Sequence, residues 1–255
     1  MRVEDIGLAA AAAGACAVAA GRLRWLTPDG VAAGWAIGTA VLGFGGWRWA
    51  LVLATFVVPS SALTKLGRDR KTQPEHAGRG RDASQVLGTG GVAAAVAVLW
   101  AALADTAAGP ALYAAFLGSL AAASADTWAT EIGMLSRTPP RSLITRRAVP
   151  AGTSGGVTWL GSAAGAVGAG IVAAAGAWDN PPLLTAATLA GIVAMLFDSV
   201  LGAMTQASYR YRDGTVGEDR RDDGALIHGL AWMNNSTVNL VATLAGALLA
   251  AAIAR

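Results

Sequence analysis

Cysteine, histidine and charge are all scarce in this chain, and each shortage excludes something. The single cysteine, Cys16, rules out a disulfide within the chain; set among alanines, it reads as a small packing residue. His76 and His228 are the only histidines, too few and too far apart to build a histidine metal site. Charged residues make up 14% of the 255, where a soluble domain carries about a quarter, so a soluble globular fold is not expected. The start, MRVEDIGLAA, has Glu4 and Asp5 where a cleavable leader would be basic; the first apolar run therefore reads as a retained span. The basic residues lack interleaved aromatics and lie in short loops, so nucleic acid is not an expected partner.

What the chain does have is hydrophobic sequence, 54% of its residues, in long runs of low charge. Each run is near the ~20 residues that cross a bilayer as a helix. The expected fold is all-α, a polytopic integral membrane bundle of eight spans at roughly 5–22, 29–46, 48–64, 84–105, 110–134, 153–176, 183–206 and 228–253. It reads as one domain, 1–255, with spans 1–3 peripheral and spans 4–8 carrying the site. Thirty-three glycines and abundant alanine permit close helix packing through small residues. Tight turns fall at Gly45-Gly46, at Ala108-Gly109-Pro110 and at Trp178 to Pro182. Longer loops cover 65–83, 135–152 and 207–227. With both termini outside, sixteen of the nineteen Lys and Arg residues fall in cytoplasmic segments, leaving only Arg2, Arg48 and Arg255 outside, as the positive-inside rule prefers. All three long loops then face the cytoplasm, and part of their charge suits anionic lipid headgroups. Trp25, Trp47, Trp49 and Trp178 fall at expected interfaces, as an aromatic belt does.

The polar residues within the apolar runs carry the chemistry. The stretch SADTWATEIGMLSRTPPRSLITRRAVPAGTSGGVT, from Ser124, is the centre of this reading. Asp126 and Glu131 are acids at membrane depth, by default candidates for function. Ser119, Asp126, Thr130 and Gly133 share a helical face; Glu131 lies about 140° from Asp126 on an ideal helix, so it addresses another partner or the helix is distorted. The pair reads as a Mg²⁺ site or, more plainly, as partners for arginines. Downstream come Arg137, Arg141, Arg146 and Arg147, then Gly152, Thr153, Ser154, Gly155 and Gly156, placed here at the start of span 6. Unpaired N–H groups at a helix start suit an anion, and arginines suit phosphate; a simple cap with packing glycines is the plainer alternative. No strand precedes the turn and no Lys follows it, so it is not a Walker loop. Asp198, Gly202, Thr205 and Gln206 share a face of span 7. His228, Trp232, Asn235 and Asn239 fall on one stripe of span 8, where amides can ligate metal, bind phosphate, or bond between helices. At the entrance of span 4, Arg79, Arg81 and Gln85 are the better phosphate candidates, ahead of Arg68, Arg70 and Lys71. Loop 207–227, with charges of both signs, reads as a solvated loop or a mobile lid.

RDASQVLGTGG, SADTWATEIG, GTSGGVT, DSVLGAMTQ and NNSTVN, each present as quoted, resemble the transmembrane-protein-19-like membrane family that includes the plant and cyanobacterial phytyl phosphate kinases. The resemblance runs from about Lys65 onward. A more distant similarity is to CTP-dependent polyprenol kinases, through Asp126, Ala129, Gly133, Arg147 and Gly152-Thr153-Ser154. Family members often carry Asn-Asp where this chain has Asn234-Asn235, and Asn where Thr89 stands. The resemblance implies phosphoryl transfer from a nucleoside triphosphate, CTP favoured, to an isoprenoid monophosphate such as phytyl or geranylgeranyl phosphate. Asp126, Glu131 and Asp198 would hold Mg²⁺; Arg146, Arg147 and the GTSGG turn would hold nucleotide phosphates. The site would open to the cytoplasmic side. The alternatives carried beside it are a CTP-dependent lipid cytidylyltransferase, a polyprenol kinase, and a transporter or flippase of an anionic lipid.

Overall fold

The structure is a computed structural model and describes residues 3–65, 80–218 and 220–254. Eight α-helices form the bundle: α1 Val3–Arg22, α2 Pro28–Ala40, α3 Trp47–Lys65, α4 Ala83–Leu103, α5 Gly109–Gly133, α6 Trp159–Ala177, α7 Pro181–Thr205 and α8 Asn235–Ile253. A π-helical turn, Val41–Gly45, extends α2, and Gly46, at φ +84°, turns the chain into α3. Each of the eight expected spans overlaps one helix. Five helices, α1, α4, α6, α7 and α8, are long and apolar enough to cross a membrane.

Why α5 fails that apolar test is visible in its surroundings. It packs against α3, α4, α6, α7 and α8, and Ala114 to Ala125 are almost all buried, the pattern of a helix enclosed on every side. Being screened from lipid, it tolerates Ser119, Ser124, Asp126 and Glu131. Its neighbours approach at backbone distance because they bring glycine. A Cβ on Gly246 of α8 would lie 2.7 Å from Gly118 O, one on Gly161 of α6 2.5 Å from Ala129 O, and one on Gly165 2.8 Å from Ala125 O. Ser124 Oγ donates to Gly168 O at 3.0 Å, joining α5 to α6. At the other end of the bundle Trp49 is buried, its ring 4.2 Å from Phe116 and 5.0 Å from Trp100. It is thus core rather than interface, whereas Trp47 and Trp178 are exposed.

Two spans start later than the sequence implies. Gly152 and Gly155 adopt φ of +85° and +77°, left-handed values that interrupt a right-handed helix. The chain then forms a short strand, β2 Gly156–Val157, antiparallel to β1 Arg141–Ser142. α6 begins at Trp159, capped by Thr158, whose side chain accepts from Gly161 N at 3.0 Å. Likewise the described residues between Gln206 and Asn235 are not helical. Strands β3 Ser208–Arg210, β4 Val216–Gly217 and β5 Ala225–His228 make an antiparallel sheet in the order β4-β3-β5. α8 starts at Asn235, with Asn234 as its N-cap. His228 therefore lies in a strand, its Nε2 3.1 Å from Ala203 O, and not on a helical stripe with Trp232, Asn235 and Asn239.

Candidate active site

Consecutive helices alternate in direction, so one end of the bundle collects the C-terminal ends of α1, α3, α5 and α7 and the N-terminal ends of α2, α4, α6 and α8. A cavity of about 980 Å³ opens there, lined by residues at the ends of α3 to α8 and by the turn that joins α1 to α2. Asp126, Glu131, Asp198, Arg81, Gln85, Asn235, Asn239 and Gly152 to Gly156 all line it. Asp126 and Asp198 each stand seven residues before their helix ends, about 10 Å inside at 1.5 Å per residue. Two carboxylates from different helices thus reach the same depth.

Asp198 is buried, and its Oδ2 has no hydrogen-bond partner. Burying a charged oxygen without compensation is expensive, and a cation beside this atom would offset that cost. The negative charge of Asp126 bears on Asp198. Arg81 lies within electrostatic reach of both Glu131 and Asp126, and α5 runs unbroken to Gly133, so no distortion of the helix accounts for Glu131. Among the described residues no group of three or more Asp, Glu, His or Cys side chains clusters at metal-binding distance. Asp126, Glu131 and Asp198 share the cavity without forming a three-carboxylate cage. Magnesium rarely requires one; it commonly takes one or two carboxylates and completes its shell with water and substrate phosphate. Asp198 and Asp126 fit that donor set.

Arg81 is placed by its backbone. Its N–H donates to Trp25 O at 2.8 Å and its carbonyl accepts from Thr27 N at 3.1 Å. The next residues start α4 with a capping box, Gln85 N to Asp82 Oδ1 at 3.0 Å and Asp82 N to Gln85 Oε1 at 3.1 Å. Gln85 therefore spends its carbonyl on the helix start and has its amide nitrogen for other use.

The GTSGG turn lines the cavity, but not as a helix N-terminus. Thr153 N and Gly156 N bond within the turn, to Pro150 O at 3.2 Å and Thr153 O at 3.0 Å. A Cβ on Gly155 would lie 2.6 Å from Ser199 O of α7, so the turn is seated on α7 one position past Asp198. Ser154 Oγ donates to Gln206 Oε1 at 3.1 Å, and Gln206 Nε2 donates to Glu218 Oε2 at 2.5 Å. This chain of bonds joins the turn, the end of α7 and the three-stranded sheet. Replacing Gln206 with Leu removes both bonds, about 1.5 kcal/mol or more with a charged partner. Hydrogen exchange at 152–156 and 216–218 is expected to rise about tenfold while α4–α5 exchange stays unchanged.

Arg146 and Arg147 are exposed and lie outside the cavity lining. The tight loop after β1 holds them there: Ser142 N donates to Arg147 O at 3.0 Å and Arg146 N to Ser142 O at 2.8 Å. Arg137, which precedes β1, does line the cavity. Arg79 lies outside the described residues. Sequence reading also missed Arg24, Ser61, Thr64 and Lys65, which line the cavity from spans taken as peripheral. Gln206 sat on the face of Asp198 in the sequence, and that spacing was the available signal.

Comparison with known proteins agrees with this architecture. A family model described as integral membrane protein DUF92 matches residues 11–247. An uncharacterised membrane protein of Methanocaldococcus jannaschii is 28% identical over 228 residues, 89% of this chain and 84% of the relative. Protein PGR of Arabidopsis thaliana is 31% identical over 228 residues, 78% of this chain and 79% of its own. The chloroplastic protein VTE6 of the same plant is 26% identical over 235 residues, 88% of this chain and 64% of its own. No solved structure matches the chain. A helical bundle with five candidate spans, matched by that model over nearly its whole length, belongs to the DUF92 family of multi-pass integral membrane proteins, the transmembrane-protein-19-like family to which its ordered motifs point.

Proposed function

We propose that the protein is an isoprenoid-monophosphate kinase that passes a phosphoryl group from a nucleoside triphosphate, CTP favoured, to phytyl or geranylgeranyl phosphate at the cytoplasmic face. The observation that carries this reading is the buried, unpartnered Asp198 Oδ2 in a cavity it shares with Asp126 and Arg81. The family resemblance and the similarity to VTE6 support it.

Phosphoryl transfer asks for charge neutralisation and alignment more than for covalent chemistry. A Mg²⁺ held by Asp126 and Asp198 would neutralise charge on the donor phosphates. Arg81 stands beside these carboxylates to stabilise charge that develops in the transition state. Asn235, Asn239 and the Gln85 amide nitrogen offer neutral donors to phosphate oxygens, and Thr153, Ser154 and the glycines form the wall against which the donor lies. An oxygen of the acceptor monophosphate attacks the terminal phosphorus of the donor. A new P–O–P link forms, the bond to the donor's bridging oxygen breaks, and nucleoside diphosphate leaves. The attacking oxygen is already anionic near neutral pH, so no strong base is needed.

The test is direct. Purified protein with Mg²⁺, each nucleoside triphosphate in turn, and phytyl or geranylgeranyl phosphate is expected to yield prenyl diphosphate and nucleoside diphosphate. Release of pyrophosphate would assign nucleotidyl transfer instead. Lipid movement in liposomes with no nucleotide consumed would assign transport.

A further inference from the structure

The cavity has a second basic wall that the kinase reading leaves unused. It is formed where α1 turns into α2 and where α3 ends. Arg24 sits in the turn at φ +57°, a left-handed conformation that side-chain residues disfavour. Helix ends commonly place glycine there; Arg24 N closes the turn to Gly21 O at 2.9 Å and Trp25 N to Ala20 O at 2.9 Å. Arg146 shares that conformation outside the cavity, so backbone strain alone assigns nothing. What sets Arg24 apart is its company.

Lys65, the last residue of α3, donates to Leu23 O at 2.5 Å and holds its ammonium 5.8 Å from the Trp25 ring centroid. That bond uses one of three N–H donors and fixes the charge against the turn that carries Arg24. The same turn carries Arg81, through its backbone bonds to Trp25 and Thr27. The strap is tight, since a Cβ on Gly80 would lie 2.6 Å from Leu26 N. Arg81 faces carboxylates; Arg24 and Lys65 add positive charge to the same wall, and Ser61 and Thr64 line the cavity beside them. Fixed cations and hydroxyls at one wall are the chemistry that recognises a phosphate monoester.

Position selects which phosphate. α1 packs only on α2 and the π-helical turn among the stronger contacts, and Leu8 and Val18 on it and Leu23 just past its end are exposed apolar residues. The wall at Arg24 is therefore the rim where cavity meets apolar helix surface, as a phosphate on a hydrocarbon tail needs. The GTSGG turn and Arg137 line the same cavity from the loop between α5 and α6. From this arrangement we propose that Arg24 and Lys65, with Ser61 and Thr64, form an acceptor subsite that grips the monophosphate head of the prenyl lipid. This rests on the kinase reading for its role, with Asp126, Asp198 and Arg81 between the two phosphates.

The test uses the full chain in zwitterionic nanodiscs and reads ligand-induced thermal stabilisation. The ligands are geranylgeranyl monophosphate, geranylgeraniol, inorganic phosphate and CTP. Arg24→Gly keeps the left-handed turn and Lys65→Met keeps most of the apolar stem, so both variants are expected to fold. Each is expected to weaken geranylgeranyl monophosphate at least tenfold, with CTP affinity within twofold of wild type and geranylgeraniol unaffected. Unchanged binding of the monophosphate in both variants overturns the proposal. So does a loss that falls on CTP instead, and so does inorganic phosphate displacing the lipid at equal concentration. If the variants lose the lipid phosphate while wild type forms no diphosphate with any nucleotide, the subsite stands and the kinase reading falls. If diphosphate forms and neither substitution alters its KM for the lipid, the kinase reading stands and the subsite falls.

Discussion

Asp198→Asn is expected to lower phosphoryl transfer about 10²–10³-fold, the scale seen when a preorganised electrostatic group is removed, while leaving the thermal midpoint unchanged or higher. The two effects have opposite signs for one reason. Asp198 Oδ2 is buried without a partner, and the folded protein bears the desolvation of that charge. An amide of the same shape relieves it but cannot neutralise a cation. Function-bearing groups are where stability is commonly given up. Asp126→Asn is expected to lose activity comparably but to gain no stability, because its carboxylate answers the Arg81 charge. Turnover and melting midpoint in the same detergent check both. Full turnover in Asp198→Asn would remove this residue from the chemistry.

Gly118→Val is expected to disrupt the bundle. A Cβ at Gly118 would overlap Gly246 O and the Ala250 methyl, and backbone cannot be moved aside as a side chain can. Overpacking typically costs about 1–3 kcal/mol and occasionally more; with a rigid carbonyl as the obstacle, the upper end or beyond is expected. Gly170→Val is the control, since a Cβ there meets nothing within 4 Å. Denaturant titration in mixed micelles should show a large drop for the first and little change for the second. Equal midpoints would mean that α5 and α8 do not meet as described.

The contrast between these glycines explains what could be read from sequence. Helix number and approximate bounds follow from apolar run length, which is a property of each segment alone. Asp126, Glu131 and Asp198 stood out because an acid in an apolar run is conspicuous wherever the run packs. What escaped depends on the partners of each segment. Gly170 and Gly118 look alike in sequence, and only packing separates them. The start of α6 was misplaced because Gly152 to Gly156 are compatible with a helix start or with left-handed turns, and pairing with Arg141 and Ser142 decides the matter. Arg146 and Arg147 drew attention by charge, yet local hydrogen bonds hold them away from the cavity. Lys65 and Arg24 drew none, because cations at helix ends are commonplace; their meaning comes from a turn 41 residues upstream of Lys65 folding back onto it.

The strict alternation of helix direction has a consequence for how such a chain can change over evolutionary time. Because the ends that meet at the cavity are C-terminal and N-terminal in turn, deleting or inserting a single crossing would carry all later contributors to the far leaflet. Asp198 and Asn239 would then be about a bilayer's thickness from Asp126. Relatives that keep this cavity are therefore expected to differ by even numbers of crossings between the parts that meet in it, with single changes confined to connecting segments.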